Sequence, residues 1–118
     1  MPHIETLQQL VANVGKESAL KLILMFQKDV EKHIKSMQEN IDNNEPINDL
    51  RFHSHSLKGL CRTYGAQIAG DAAQDLQIAC DNNDKAEIIL ATKKAFIYIP
   101  ADAKAAVNFV QTLTSKST

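Results

Sequence analysis

Arg51-Phe52-His53-Ser54-His55-Ser56-Leu57-Lys58-Gly59-Leu60-Cys61-Arg62-Thr63-Tyr64-Gly65 is the stretch that decides how this chain reads. Together with Ile47 and Leu50 upstream, its apolar residues Leu57, Cys61 and Tyr64 recur at helical spacing, with Leu60 at the margin of the stripe. The segment is therefore expected to be an amphipathic helix over about 46–64. Gly65 is placed to end it, because glycine is favoured just past a helix C-terminus. Two histidines two residues apart then point about 200° away from each other. His55 lies about 150° from the apolar stripe, and His53 within about 50° of it. His55 is expected to face solvent, and His53 to sit at the core edge with its ring nitrogens hydrogen-bonded. Such spacing cannot hold one metal ion, since two ligands on one helix need to be three or four residues apart.

Working outward, the rest of the chain repeats the same pattern. Ile4, Leu7, Leu10 and Val11 mark a short amphipathic helix that ends before Gly15. Leu20, Ile23, Phe26, Val30, Ile34, Met37 and Ile41 line one face of a long helix over about 16–42. Asn43-Asn44-Glu45 breaks it, and Pro46 suits the first turn of the helix that follows. A fourth helix is expected over about 66–82, ending at Asn82-Asn83. Asp84 is a plausible N-cap for a last segment reaching about 115. Pro100 is expected to kink or split that segment. These elements predict an all-α fold, an antiparallel up-and-down bundle with a four-helix core plus the short N-terminal helix.

Composition narrows the class of protein. A chain of 118 residues makes one domain, 1–118, with a core of aliphatic residues because there is no Trp. Four Gly and three Pro are few, which favours helix. A net charge of −1 offers no field to hold nucleic acid or an anionic membrane. The longest apolar run, Leu22 to Phe26, is far too short to span a bilayer, and the N-terminus has no signal-peptide character. Cys61 and Cys80 match no zinc or redox spacing and read as small buried hydrophobes in a reducing cytoplasm. His3 and His33 read as single histidines without partners.

On the exposed face with His55 lie Phe52, Gly59 and Arg62, flanked by Arg51 and Lys58. Glycine inside a helix costs roughly 1 kcal/mol relative to alanine, so Gly59 needs a reason. Close approach of another molecule is one, and tight packing against a second helix is the other. An exposed Phe52 would be the apolar centre of a docking patch; the competing reading swings it into a groove under the first helix. Neutral imidazole offers a ring nitrogen lone pair without a separate base. Lys58, and Arg62 one turn further on, can set positive charge beside a transferring phosphoryl group. If the third and fourth helices fold back about residue 66, the residue level with His55 is Gln77, whose amide can hold the other ring nitrogen.

The run His55-Ser56-Leu57-Lys58-Gly59-Leu60-Cys61-Arg62-Thr63-Tyr64-Gly65 resembles the signature of the histidine-containing phosphotransfer (HPt) domains of bacterial two-component phosphorelays. The resemblance implies that His55 is the phosphoacceptor, with Lys58, Gly59 and Gly65 at the family's Lys and Gly positions. It implies a supporting polar residue at Gln77, where many members carry Glu. It further implies a relay that takes the phosphoryl group from a receiver-domain aspartate of a hybrid sensor kinase and passes it to the receiver of a response regulator. No kinase activity, cofactor or metal is expected, and any Mg²⁺ would belong to the receiver. The starting Met and the absence of a linker favour a free-standing relay protein, the alternative being a domain cut from a hybrid sensor kinase; a cytoplasmic monomer is expected. The alternative is an HPt-like bundle that serves as a binding or scaffold module and is never phosphorylated. A hydrolase using His55 as base lacks a nucleophile, because Ser54 and Ser56 point about 100° to either side of it.

Overall fold

The computed structural model describes residues 2–115. Five helices follow one another: α1 (Ile4–Val14), α2 (Lys16–Asp42), α3 (Ile47–Thr63), α4 (Gln67–Asp81) and α5 (Lys85–Ser115). Helices α2 to α5 form an up-and-down bundle in which each packs on the next and α5 closes back on α2. Helix α1 lies across α2 and α5.

Local chemistry explains the boundaries. Helices α2 and α4 are each followed by an asparagine pair whose second member, Asn44 or Asn83, has φ of +52°. Asparagine tolerates that left-handed conformation better than most residues, so it ends a helix with little strain. Pro46 stands at the N-cap of α3 with extended backbone, one position before the first turn. Asp84 caps α5, its Oδ1 accepting from the Glu87 N–H at 3.2 Å. Pro100 neither splits nor ends α5, which runs unbroken through it. Its ring lies on the exposed side of the helix, where water can take the Phe96 carbonyl that loses its amide donor.

The core is aliphatic, as composition requires. Leu7, Ile23, Phe26, Val30, Met37, Leu50, Leu57, Leu76, Ile99 and Val110 are all buried. Helix α4 contributes mainly alanines (Ala69, Ala72, Ala73 and Ala79) and so lies close to its neighbours. Ile41, at the far end of the expected α2 stripe, is instead 42% exposed. Cys61 and Cys80 are both free and buried. Burial, with a smaller contribution from Asp102, pushes the Cys61 thiol up to about 12, which leaves it protonated and unreactive.

Two polar side chains are buried for structural reasons. Ser54 lies on the apolar stripe of α3 and satisfies its hydroxyl by donating to the Arg51 carbonyl at 2.9 Å. Asp102 of α5 accepts from the Ala69 N–H at 2.9 Å, in the first turn of α4. A carboxylate there satisfies an otherwise orphaned amide and complements the helix dipole. Among the described residues no helix is long and apolar enough to cross a membrane.

His33 and His3, expected to stand alone, both have partners. His3 Nδ1 lies 2.7 Å from Thr6 Oγ1, and the His3 N–H donates to the Gly65 carbonyl. His33 Nδ1 on α2 lies 2.9 Å from His53 Nδ1 on α3, so one ring must donate and the other accept. Burial lowers the His33 pKa from its ordinary 6.5, and repulsion from His53 lowers it further against the opposing charge of Asp29. Between the lowered folded value and 6.5 the unfolded chain binds more protons than the native one. The contribution of this group to stability is therefore complete above pH 6.5 and is lost as pH falls through the folded value. Urea unfolding should show a lower midpoint at mildly acidic pH than at neutral pH, and His33→Gln should remove most of that difference. An unchanged difference in the variant would mean that other groups carry it.

Candidate functional site

The site is built on the α3–α4 hairpin. Gly65 turns the chain with φ of +73°, and a side chain there would press to 3.1 Å on the His3 carbonyl and on Leu7 of α1. Glycine meets both conditions without strain, so the turn and the seat of α1 are specified together. From this turn the two helices run back in register. His55 faces Gln77, Arg51 faces Asp81, and Arg62 lies over Gly70, all three pairs centred on residue 66. A side chain at Gly70 would come within 2.7 Å of the Arg62 Cγ, so the glycine is where that long stem crosses α4.

His55 is exposed and His53 is half-buried, as the helical phase requires. His55 Nδ1 lies 3.2 Å from Gln77 Oε1. With the Gln77 amide oxygen turned to the ring, the hydrogen-bonding tautomer carries its hydrogen on Nδ1 and leaves the lone pair on Nε2. A Cβ built on Gly59, one turn along the same face, meets nothing within 4 Å. Helix packing is thus eliminated as the reason for Gly59: it opens a gap beside the imidazole. Phe52 is 61% exposed and stands edge-to-face with the His53 ring, their centroids 5.2 Å apart, not in a groove under α1.

The three cations differ from the sequence expectation. Arg51 is paired with Asp81. Arg62 donates to Asp71 at 3.2 Å and also to Gln74. Both arginines hold α3 to α4, and their charge is largely offset by the carboxylates they grip. Lys58, half-buried three residues after His55, has no ion-pair partner among the described residues and is the bare positive charge of the site. Sequence reasoning missed Asp71, Gln74 and Asp81. The fold-back about residue 66 that located Gln77 would also have placed Asp81 level with Arg51 and Asp71 beside Arg62. Among the described residues no three His, Cys, Asp or Glu gather as metal ligands.

The face thus presents an exposed imidazole held against an amide, a lysine one turn away, an open notch and an exposed phenyl ring. No curated protein and no solved structure gives a significant match to the chain. A family model, the Hpt domain, matches residues 21–95, from the first turns of α2 into α5 and including the whole α3–α4 hairpin. The chain belongs to the Hpt domain family, the histidine phosphotransfer domains of phosphorelays.

Proposed function

We propose that His55 is the phosphoacceptor of a relay, charged by the aspartyl phosphate of one receiver domain and discharged to the aspartate of another. The observation that carries this reading is the His55–Gln77 contact, which leaves Nε2 as the nucleophile on an open face. In the forward step the Nε2 lone pair attacks phosphorus, the P–N bond forms and the P–O bond to the aspartate breaks. The Nδ1 proton stays where it is, against Gln77, so no base has to act first. Lys58 balances charge on the phosphoryl oxygens. The receiver docks over Phe52, His55 and Gly59, with the paired Arg51 and Arg62 at the edges of the contact. Any Mg²⁺ belongs to the receiver, and the chain itself needs no cofactor or kinase activity.

His55→Gln should abolish acid-labile, base-stable labelling by a phosphorylated receiver domain, whereas His53→Gln should keep it and lose stability instead. The label on the wild type should sit on Nε2, as read by ³¹P–¹H NMR. The reverse pattern, with the His53 variant dead, would overturn the assignment, and no labelling at all would favour the scaffold alternative. Gln77→Ala should slow transfer about ten-fold or more without stopping it, because it releases the ring's orientation and not the nucleophile.

Gly59 separates folding from docking. Gly59→Ala has room for its methyl group and should raise stability by about 1 kcal/mol in chemical unfolding. Gly59→Trp should block transfer from a receiver while leaving phosphorylation by acetyl phosphate nearly intact. Equal loss of both activities would place the glycine's role within the domain and not at the interface.

A further inference from the structure

One pair of side chains is explained neither by the apolar core nor by the chemistry at His55. His33 on α2 and His53 on α3 bring their Nδ1 atoms to 2.9 Å, in a contact that is partly buried. Their ring centroids are 5.2 Å apart and their planes meet at 65°. The His53 ring also meets Phe52, edge-to-face, at a centroid distance of 5.2 Å. A chain of three rings therefore runs from α2 to the exposed phenyl group beside His55. Its first link is the only one that depends on protons.

A bond between two Nδ1 atoms admits only certain proton counts. With both rings neutral, one carries its hydrogen on Nδ1 and donates to the bare Nδ1 of the other. One added proton is tolerated, because a cationic ring donates to a neutral one and the charge strengthens the bond. A second added proton leaves two N–H groups aimed at each other, with no acceptor and two like charges in contact. The bond is then lost. Few other charges bear on it. Asp29, one turn back on α2, and His53 from α3 act on His33, and Asp49 stands one turn before His53 on its own helix. Of α5, Lys93 shares a groove with Glu45 and Lys104 shares one with Glu31 and Lys35; His33 lines neither groove. Burial and His53 together outweigh Asp29 and lower the His33 pKa from 6.5. This ring therefore takes its proton below pH 6.5, as pH falls through the lowered value.

We propose that the His33–His53 bond is a proton-released brace for Phe52, holding the ring for a receiver domain while at most one imidazole is charged and freeing it when both are. The inference rests on the docking role given to Phe52 above, and it makes His53 a positioning residue. Repulsion between two imidazolium rings drives His53 off His33, and Phe52 loses the ring it stands against. Receiver docking then weakens in acid for a reason separate from protonation of His55.

His33→Gln is the decisive variant. Its amide can donate to a neutral His53 and accept from a charged one, so the bond survives in either state. The full chain is titrated from about pH 7.5 to about pH 5 with two readouts. One is the Phe52 ring carbon shifts of the free protein by NMR. The other is affinity for a response-regulator receiver domain held in its phosphorylated form by beryllium fluoride. Over that range wild-type docking should weaken about five-fold more than docking of His33→Gln, the scale of one aromatic contact. The Phe52 shifts should show a step that the variant lacks. Comparing the two chains at each pH cancels titration of His55 and of the receiver. His53→Gln makes the same exchange on the other ring, should also lose the step, and serves if the first variant does not fold. A Phe52 ring unmoved as His33 titrates, or docking with the same pH dependence in wild type and variant, would overturn the inference and leave phosphotransfer standing. Docking by no receiver at neutral pH, with no labelling of His55, would overturn the phosphotransfer reading and the inference with it.

Discussion

The close, in-register approach of α3 and α4 is the constraint on which the rest of this structure depends. It is set at one point, the turn at Gly65, where the positive φ and the tight fit of a Cβ beneath His3 and Leu7 both favour glycine. Two helices leaving such a turn can still splay. What keeps them together is the small-residue face of α4, whose alanines let the axes approach, and Gly70, which lets the Arg62 stem cross. The Arg51–Asp81 and Arg62–Asp71 pairs add little free energy, being half-exposed and screened. Their value is geometric, since one lies on each side of the His55–Gln77 contact and fixes the sliding and rotation of one helix against the other.

Given that register, α3 divides its work between its faces. The inward face spends nothing on chemistry: Leu50, Ser54, Leu57 and Cys61 are buried, and even the serine bonds its own helix. The outward face gives up stability. Gly59 is a poor helix residue with open space before it, and Phe52 leaves most of its ring in water. A helix selected for stability alone would carry neither. His53 stands between the two faces, tying α3 to α2 through His33 while its ring supports Phe52. The histidine beside the site is therefore a structural group, and its proximity to His55 in sequence reflects helical phase and not shared chemistry.

Most of this was legible in the sequence because it is governed by local rules. Helix boundaries followed from Gly15, Pro46, Gly65, Asp84 and the asparagine pairs, and the exposure of the two histidines followed from 3.6 residues per turn. Gln77 was reachable because a tight hairpin makes the pairing of two helices a matter of counting from the turn. What escaped was set by contacts between elements distant in the chain. The register of α2 against α3 is not fixed by a tight turn, so the His33–His53 pair could not be counted out. Asp102 caps α4 from α5, across 33 residues of chain, and nothing local to it signals that role. Pro100, expected to kink or split α5, does not split it, because a proline on the solvent side of a well-packed helix loses one hydrogen bond that water can replace. Ser54 escaped because a hydrophobic-stripe reading omits a polar residue that satisfies itself.

The amide at Gln77 bears on how the proposed relay is balanced. Phosphorylation of Nε2 leaves the ring with its proton on Nδ1 and makes it cationic until that proton departs. A carboxylate at the same place would stabilise this cation by charge as well as by hydrogen bonding, and would hold the phosphoryl group on the histidine more firmly. It would also set a negative charge close to an incoming phosphoryl group that is itself anionic. A neutral acceptor fixes the tautomer without either effect. In the proposed relay it would orient the lone pair for attack yet add little to the depth of the phosphohistidine well, and would leave Lys58 as the main electrostatic partner of the transferred group. An intermediate carrier benefits from that arrangement, because a group held too tightly on the histidine would not move on to the next aspartate.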